Sequence, residues 1–527
     1  MAAARLRKGS LFILFILLAA SFTLNAQTLR VGLATEHEAL DPQFSTTGAT
    51  QQASQQIFET IVKRDSNLQT KPGLALSWKM IDDLTWEIKL RKGVKFHDNS
   101  DFNADDIVFT LERIPKVSDS ASSYKRNIAS IRETVVVDPY TVRFILSKPS
   151  PQLPIDLSFI YVISNSIPAD ATTDDFNKGK TAIGTGPYKL VEWVRGDRFV
   201  VERFDSYWGV KPTFEKVIFK PILNDPSRVA ALLAGDVDII AQVPPVDIAR
   251  LRKESKISVW EKASTRMMYV HMDTERDVTP FVFAKDGSTL TKNPLKDLRV
   301  RKAISLAINR DLLTEKVLFG AGEPTGQFVS EGMTGYIPDV KPDPYDLAKA
   351  KKLLAEAGYP DGFSMTIHST NDRYLNDDQV AQAVAQFLAR AGIDMKVQAL
   401  PGNVFFTQAT KREYSFFQLG FGNTTGDAAR GLTAVLATVD KEAGMGANNR
   451  GGYTNPEVDR LIKEASVTSD EGKREELLQK AAQIAIVEDK GIIPLYFQRN
   501  LWATQKNLKY LPRTDEYTIA ADVVQVR

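Results

Sequence analysis

Residues 363–400 read "FSMTIHSTNDRYLNDDQVAQAVAQFLARAGIDMKVQAL", and the hydrophobic period changes twice along them. Phe363, Met365 and Ile367 alternate, as one face of a strand does. Val380, Val384, Phe387 and Leu388 then fall on one side of a helix that Gly392 ends, and Ile393, Met395 and Val397 alternate again. Strand, helix and strand at this spacing predict a βαβ unit with parallel strands.

Antiparallel pairs are predicted elsewhere, so the fold class is mixed α/β and not a single doubly wound sheet. "TLRVGLA" from Thr28 and "LTWEIKLRKGVKF" from Leu84 alternate like strands, the second up to a turn at Gly93. Leu190 to Phe204 is rich in Val, Trp and Phe and breaks at Gly196-Asp197, which predicts a hairpin. Asn103 caps the helical "ADDIVFTLERI", and Asp225-Pro226 supply the N-cap and first residue of a helix that ends at Gly235. Asp346 opens another helix ending at Gly358, and a further one follows Ser469 and leads into the strand "GIIPLYF". A chain of 527 residues exceeds what one core usually serves, so two or three domains are expected.

Residues 1–26 place Arg5, Arg7 and Lys8 ahead of the apolar run "LFILFILLAA". That run is too short to span a bilayer but suits a secretory signal peptide cleaved after Ala26. Export without another membrane-length stretch implies the periplasm. Removing the leader leaves 64 basic against 65 acidic residues, a balance that argues against nucleic acid as a partner. With no cysteine in the chain, disulfides, thiolate catalysis, Cys-ligated metal and an N-terminal lipid anchor are all excluded.

Catalytic constellations are near misses. His37-Glu38 begins like H-E-x-x-H, but Asp41 stands where the second imidazole belongs. Gly179-Lys180-Thr181 ends like a P-loop, but Asp174 stands at its first glycine. The four histidines, His37, His97, His271 and His368, show no ligand spacing, and no G-x-S-x-G elbow occurs. Gly184-Thr185-Gly186 is followed by Pro187, which has no N–H to offer a phosphate, so these glycines read as chain punctuation. No catalytic residue, metal or cofactor is expected.

Seven stretches in order resemble the periplasmic solute-binding proteins of peptide-type ABC importers, the dipeptide- and oligopeptide-binding family 5. They are Leu40-Asp41-Pro42, "LRKGVKFHDNSDFNADDIVFTLER" from Leu90, "GTGPYKLVEWVRGDRFVVERFDSYW" from Gly184, "LLAGDVDI" from Leu232, "DLRVRKAISLAINR" from Asp297, "AKKLLAEAGYPDG" from Ala350 and "IIPLY" from Ile492. The resemblance implies a periplasmic-binding-protein-like clamp of three domains. Domain I would be discontinuous over 27–58, 182–270 and 491–527, domain II inserted over 59–181, and domain III, over 271–490, would close on the ligand. It also implies a monomer that hands a peptide or peptide-like solute to a permease of two transmembrane and two ATP-binding subunits.

One departure from the family matters. Its peptide binders carry an aspartate shortly after a Gly-Trp pair, where it meets the ligand's α-ammonium. Here "FFQLGFGNTTGDAARG" puts Phe421 at the tryptophan and Thr424 at the aspartate. Phe421, Gly422, Asn423 and Thr424 are therefore candidate ligand contacts, and Asp427 is the nearest acid that could replace the missing one. Glu36 and His37, ahead of Leu40-Asp41-Pro42, match a cleft-lining segment, and Tyr124 matches an aromatic from domain II. An opine, a modified peptide or a metal chelate stays open as ligand. An exported hydrolase using the same cleft is the rival from another class, and a periplasmic chaperone is a third.

Overall fold

The computed structural model describes residues 27–118 and 123–526; the expected leader and the bond after Ala26 lie outside them. Phe363–Thr370 and Ile393–Leu400 pair in parallel from Phe363↔Ile393 to Thr370↔Leu400, with the helix Asp377–Ala391 between them. Gly392 ends that helix in the left-handed region at φ 104°, which is why the periodicity stops there.

This unit is one flank of a twelve-stranded mixed sheet. Its strands run side by side in the order Val282–Phe283, Phe363–Thr370, Phe416–Gly422, Ile257–Met272, Ile492–Gln505, Ile239–Ala241, Thr28–Leu33, Lys216–Pro221, Arg198–Arg203 and Tyr188–Val194. Gly322–Pro324 adds to the Ile492–Gln505 strand, and Ile393–Leu400 to the Phe363–Thr370 strand. The sixteen-residue strand Ile257–Met272 and the fourteen-residue strand Ile492–Gln505 are long enough to belong to both flanks. Their first partners, Ile257↔Gln505 to Ala263↔Arg499, lie in the N-terminal flank, and Met267↔Phe497 to His271↔Ile492 lie in the C-terminal one. Between Ala263 and Met267 the ladder is interrupted by a bulge.

Side-chain alternation divides the interior. Met268, Val270 and Met272 enter one core with the helices at Leu298–Ala307 and Asp377–Ala391, whereas Met267 and Tyr269 enter another with Phe417, Leu432 and Leu478. Leu29, Val31, Phe199 and Trp502 form a third core, under the N-terminal flank.

A separate antiparallel sheet, Ala75–Asp82, Thr85–Leu90, Thr141–Leu146 and Ile131–Asp138, has its own core around Ile88, Phe96, Phe102 and Phe144. Three contacts seat this lobe on the large sheet. Arg113, at the end of the helix Ala104–Arg113, forms a two-pronged buried ion pair with Asp41 at 2.7 and 3.0 Å. Thr185, Tyr207 and Trp208 all donate to the half-buried Glu59 at 2.8–3.0 Å. The Gly184–Gly186 segment lies against the end of the helix Gly48–Ile57, and Gly186 N–H donates to Ile57 at 2.8 Å. The glycines are thus required for backbone approach: a Cβ on either would run into the Ile57 carbonyl oxygen.

The hairpin is present, with Gly196 at φ 74°. One cap differs from the sequence reading: Asn224, not Asp225, caps the helix Asp225–Ala234, its side chain accepting from Ser227 N–H at 3.0 Å. Asp225 lies one place inside, where Pro226 follows it in the first turn and the carboxylate instead meets Arg228 at 2.6 Å.

These two glycine roles separate experimentally. Gly184→Ala should cost about 3 kcal/mol, because backbone must move. Gly196→Ala has open space and only an unfavourable φ, and should cost about 1 kcal/mol. Urea unfolding of the two variants checks the order.

Candidate functional site: the seam around residues 420–430

The strand Phe416–Gly422 leaves the sheet beside the bulge and turns through Asn423–Asp427 into the short helix Ala428–Gly431. The turn is stitched from within. Asn423 N–H donates to Thr265 at 3.1 Å, its Nδ2 donates to the Asp427 carbonyl at 2.6 Å, and Thr425 Oγ1 donates to Asn423 Oδ1 at 2.8 Å. Phe421 packs against Phe328 with the rings tilted by 51° and their centroids 5.5 Å apart. Gly422 lies beside the Arg266 guanidinium, which a Cβ there would meet at 3.5 Å.

Thr424 is half-buried, its carbonyl accepts from an Arg64 Nη, and its hydroxyl has no partner among the described residues. Asp427 is buried and fully used by the protein. Its Oδ1 accepts from Ala429 N–H at 2.6 Å as a helix cap, and its Oδ2 receives Arg474 Nη1 at 2.6 Å. A carboxylate so held anchors the loop to the helix that carries Arg474.

The other sequence candidates lie apart from this turn. Glu36 accepts from Gly196 N–H at 2.6 Å and so steadies the hairpin. His37 is 5 % exposed, its Nδ1 3.0 Å from the Ala49 carbonyl oxygen, and its ring lies edge-on to Phe199 at 5.0 Å. Burial pushes its pKa down to about 4, so it is a neutral packed ring at neutral pH. Tyr124 is 1 % exposed and donates to the Ser45 carbonyl at 3.1 Å, inside the smaller lobe's core. The remaining histidines, too, pack on aromatic rings: His97 on Phe204, His271 on Phe417 and His368 on Tyr414.

Residues that sequence reasoning missed complete the seam. Arg266 stands at the bulge and grips Glu516 at 3.0 and 3.1 Å; Glu516 itself has φ 71°, a costly backbone for a residue with a Cβ. Next to this pair a cavity of about 400 Å³ opens between the flanks, lined among others by Thr35, Arg373, Tyr374, Gln498 and Trp502. Gln498 Nε2 is buried there with no partner among the described residues. Arg64 donates to the Thr424 carbonyl, and burial, then the charge of Arg126, lowers the pKa of the half-buried Arg430 to about 10. Only Arg430 carried a usable signal, as a cation three residues beyond Asp427. Among the described residues no trio of His, Asp or Glu side chains is gathered as metal ligands would be.

Asp427→Asn separates a fixing role from ligand contact. Breaking a buried pair and leaving Arg474 unmatched should cost about 3–5 kcal/mol in urea unfolding, with ligand affinity of the folded fraction retained. An unchanged unfolding midpoint with binding abolished would contradict the assignment.

The family model described as "Bacterial extracellular solute-binding proteins, family 5 Middle" matches residues 69–443. The glutathione-binding protein GsiB of Escherichia coli O1:K1 is 29% identical over 506 residues, covering 93% of each chain. The periplasmic binding protein DppA of Helicobacter pylori, solved with the peptide STSA, superposes with a TM-score of 0.75 at 25% identity, over 95% of this chain and 98% of that one. The oligopeptide-binding protein AppA of Bacillus subtilis, solved with a nonapeptide, gives a TM-score of 0.73 at 25% identity over 95% and 100%. The sheet continuous through both flanks, the inserted lobe and the family match over most of its length place this chain among the bacterial extracellular solute-binding proteins of family 5.

Proposed function

We propose that this protein is the periplasmic receptor of an ABC importer, a monomer that captures peptides or peptide-like solutes between its flanks and delivers them to a permease of two membrane and two ATP-binding subunits. The observation that carries the reading is the bulge at Ser264–Arg266 in a strand shared by both flanks, directly beside the 420–427 wall and the cavity. Strands continuous through two lobes allow bending without separation, and a bulge removes the ladder bonds that would resist it. The relatives supply the ligand class: glutathione, a tetrapeptide and a nonapeptide are named with them.

The three domains proposed from the sequence fit this reading. Residues 59–181 contain the smaller sheet, and the segment 271–490 carries the 420–427 wall. Capture needs burial and matched hydrogen bonds but no nucleophile, which suits a seam whose histidines are all packed away.

Native mass spectrometry of protein purified from the periplasm should show a retained small molecule of peptide-like composition. Re-addition of that molecule at a hundred times its Kd should stabilise the fold by about 2.7 kcal/mol, read as a higher Tm. The molecule should be recovered unchanged after prolonged incubation; a cleaved product would favour the hydrolase reading instead.

A further inference from the structure

Gln498 is the residue of the Ile492–Gln505 strand that faces the bulge. Its neighbours Phe497 and Arg499 have partners on the other shared strand, Met267 and Ala263, while Gln498 stands opposite Ser264–Arg266 between them. The residue is 6 % exposed and lines the cavity between the flanks. Its Nε2 is buried, and neither end of its side-chain amide makes a hydrogen bond among the described residues.

The other buried polar side chains of that cavity are matched within the protein. Arg228 donates to the Ala241, Ile222 and Gln242 carbonyls and to Asp225 at 2.6–3.1 Å. Arg266 is closed by Glu516, and Asn500 Nδ2 donates to the Arg513 and Thr514 carbonyls at 3.0 and 3.2 Å. Arg373 is exposed, so water serves it, and Arg499 meets Glu261 and Glu323. A buried amide without a partner costs stability, so its place on a central strand calls for a group that arrives to match it. The walls carry strain as well: Gln242 and Glu516 line the same cavity with φ 53° and 71°, outside the range that a residue with a Cβ prefers.

The chemistry of that group follows from the amide. A glutamine side chain offers a donor and an acceptor side by side and no charge, and its last torsion is soft enough to turn both toward the cavity. The matching group is another amide. In an extended peptide the N–H and C=O of one residue point to the same side, at the spacing that such a pair needs. Building on the receptor reading above, we propose that Gln498 is a specificity residue that receives a neutral peptide unit of the bound solute, Nε2 donating to a ligand carbonyl oxygen and Oε1 accepting the N–H of the same ligand residue. The subsite reads backbone and not side chain. Because Gln498 faces the bulge, this contact is made where the two flanks meet.

Calorimetric titration with Ala-Ala-Ala, and with the two depsipeptides in which lactate replaces its second or third residue, tests this, since each ester swaps one N–H for oxygen with little change of shape. One of the esters should bind the wild type about tenfold more weakly than Ala-Ala-Ala. In Gln498→Met, whose side chain is apolar and of similar length, Ala-Ala-Ala should weaken to a like extent and the ester penalty should fall toward one. The unliganded variant should unfold at the same midpoint or a higher one, because an unmatched polar group is gone; a merely structural glutamine would give a lower midpoint with affinity retained. If methionine does not fold in that place, Gln498→Leu carries the same titration. An ester penalty identical in wild type and variant, or unchanged affinity of the variant for Ala-Ala-Ala, overturns the subsite and leaves the peptide receptor standing. Failure of Ala-Ala-Ala to bind the wild type overturns the peptide reading, and this inference with it.

Discussion

Two antiparallel strands, Ile257–Met272 and Ile492–Gln505, are common to both halves of the large sheet, and the rest of the architecture depends on that sharing. Separate lobes tied by loops could drift apart; lobes built on the same strands can only bend. Bending is concentrated where the ladder lapses, at Ser264–Arg266 and at the second irregularity opposite Leu495, next to Pro494, which has no N–H to give. The first break borders the cavity, so a ligand bridging the flanks there would act across a weakened part of the sheet.

The seam's electrostatics follow from how each charge is matched. Arg266 with Glu516 and Arg474 with Asp427 are closed pairs that fix the wall on either side of Thr424. The turn between them is completed by its own hydrogen bonds, Asn423 to Thr265 and Asp427, and Thr425 to Asn423, so the wall keeps one shape without a ligand's help.

Sequence legibility tracked the range over which the signals act. The βαβ unit, the hairpin at Gly196 and the capped helix after Asn103 were readable because period and capping are local. Gly184 and Gly186 were readable as special, but not for the right reason: the constraint comes from Ile57, far away in the chain. His37 and Tyr124 were placed near a cleft by position along the chain, yet packing turned both inward among aromatic and aliphatic neighbours. Asp427 looked available in the sequence because Arg474, its partner, lies on a helix that arrives from 47 residues downstream.

The central claim is that a ligand closes the two flanks about the shared strands, and a distance measurement tests it most directly. The chain has no cysteine, so spin labels can be placed singly at Val194→Cys and Val397→Cys, exposed positions on strands of opposite flanks, 40% and 36% accessible. Pulsed dipolar spectroscopy of the doubly labelled protein should give a shorter and narrower distance distribution once the peptide-like molecule retained from the periplasm is bound. An identical distribution with and without ligand, under conditions where calorimetry shows the site filled, would contradict the account.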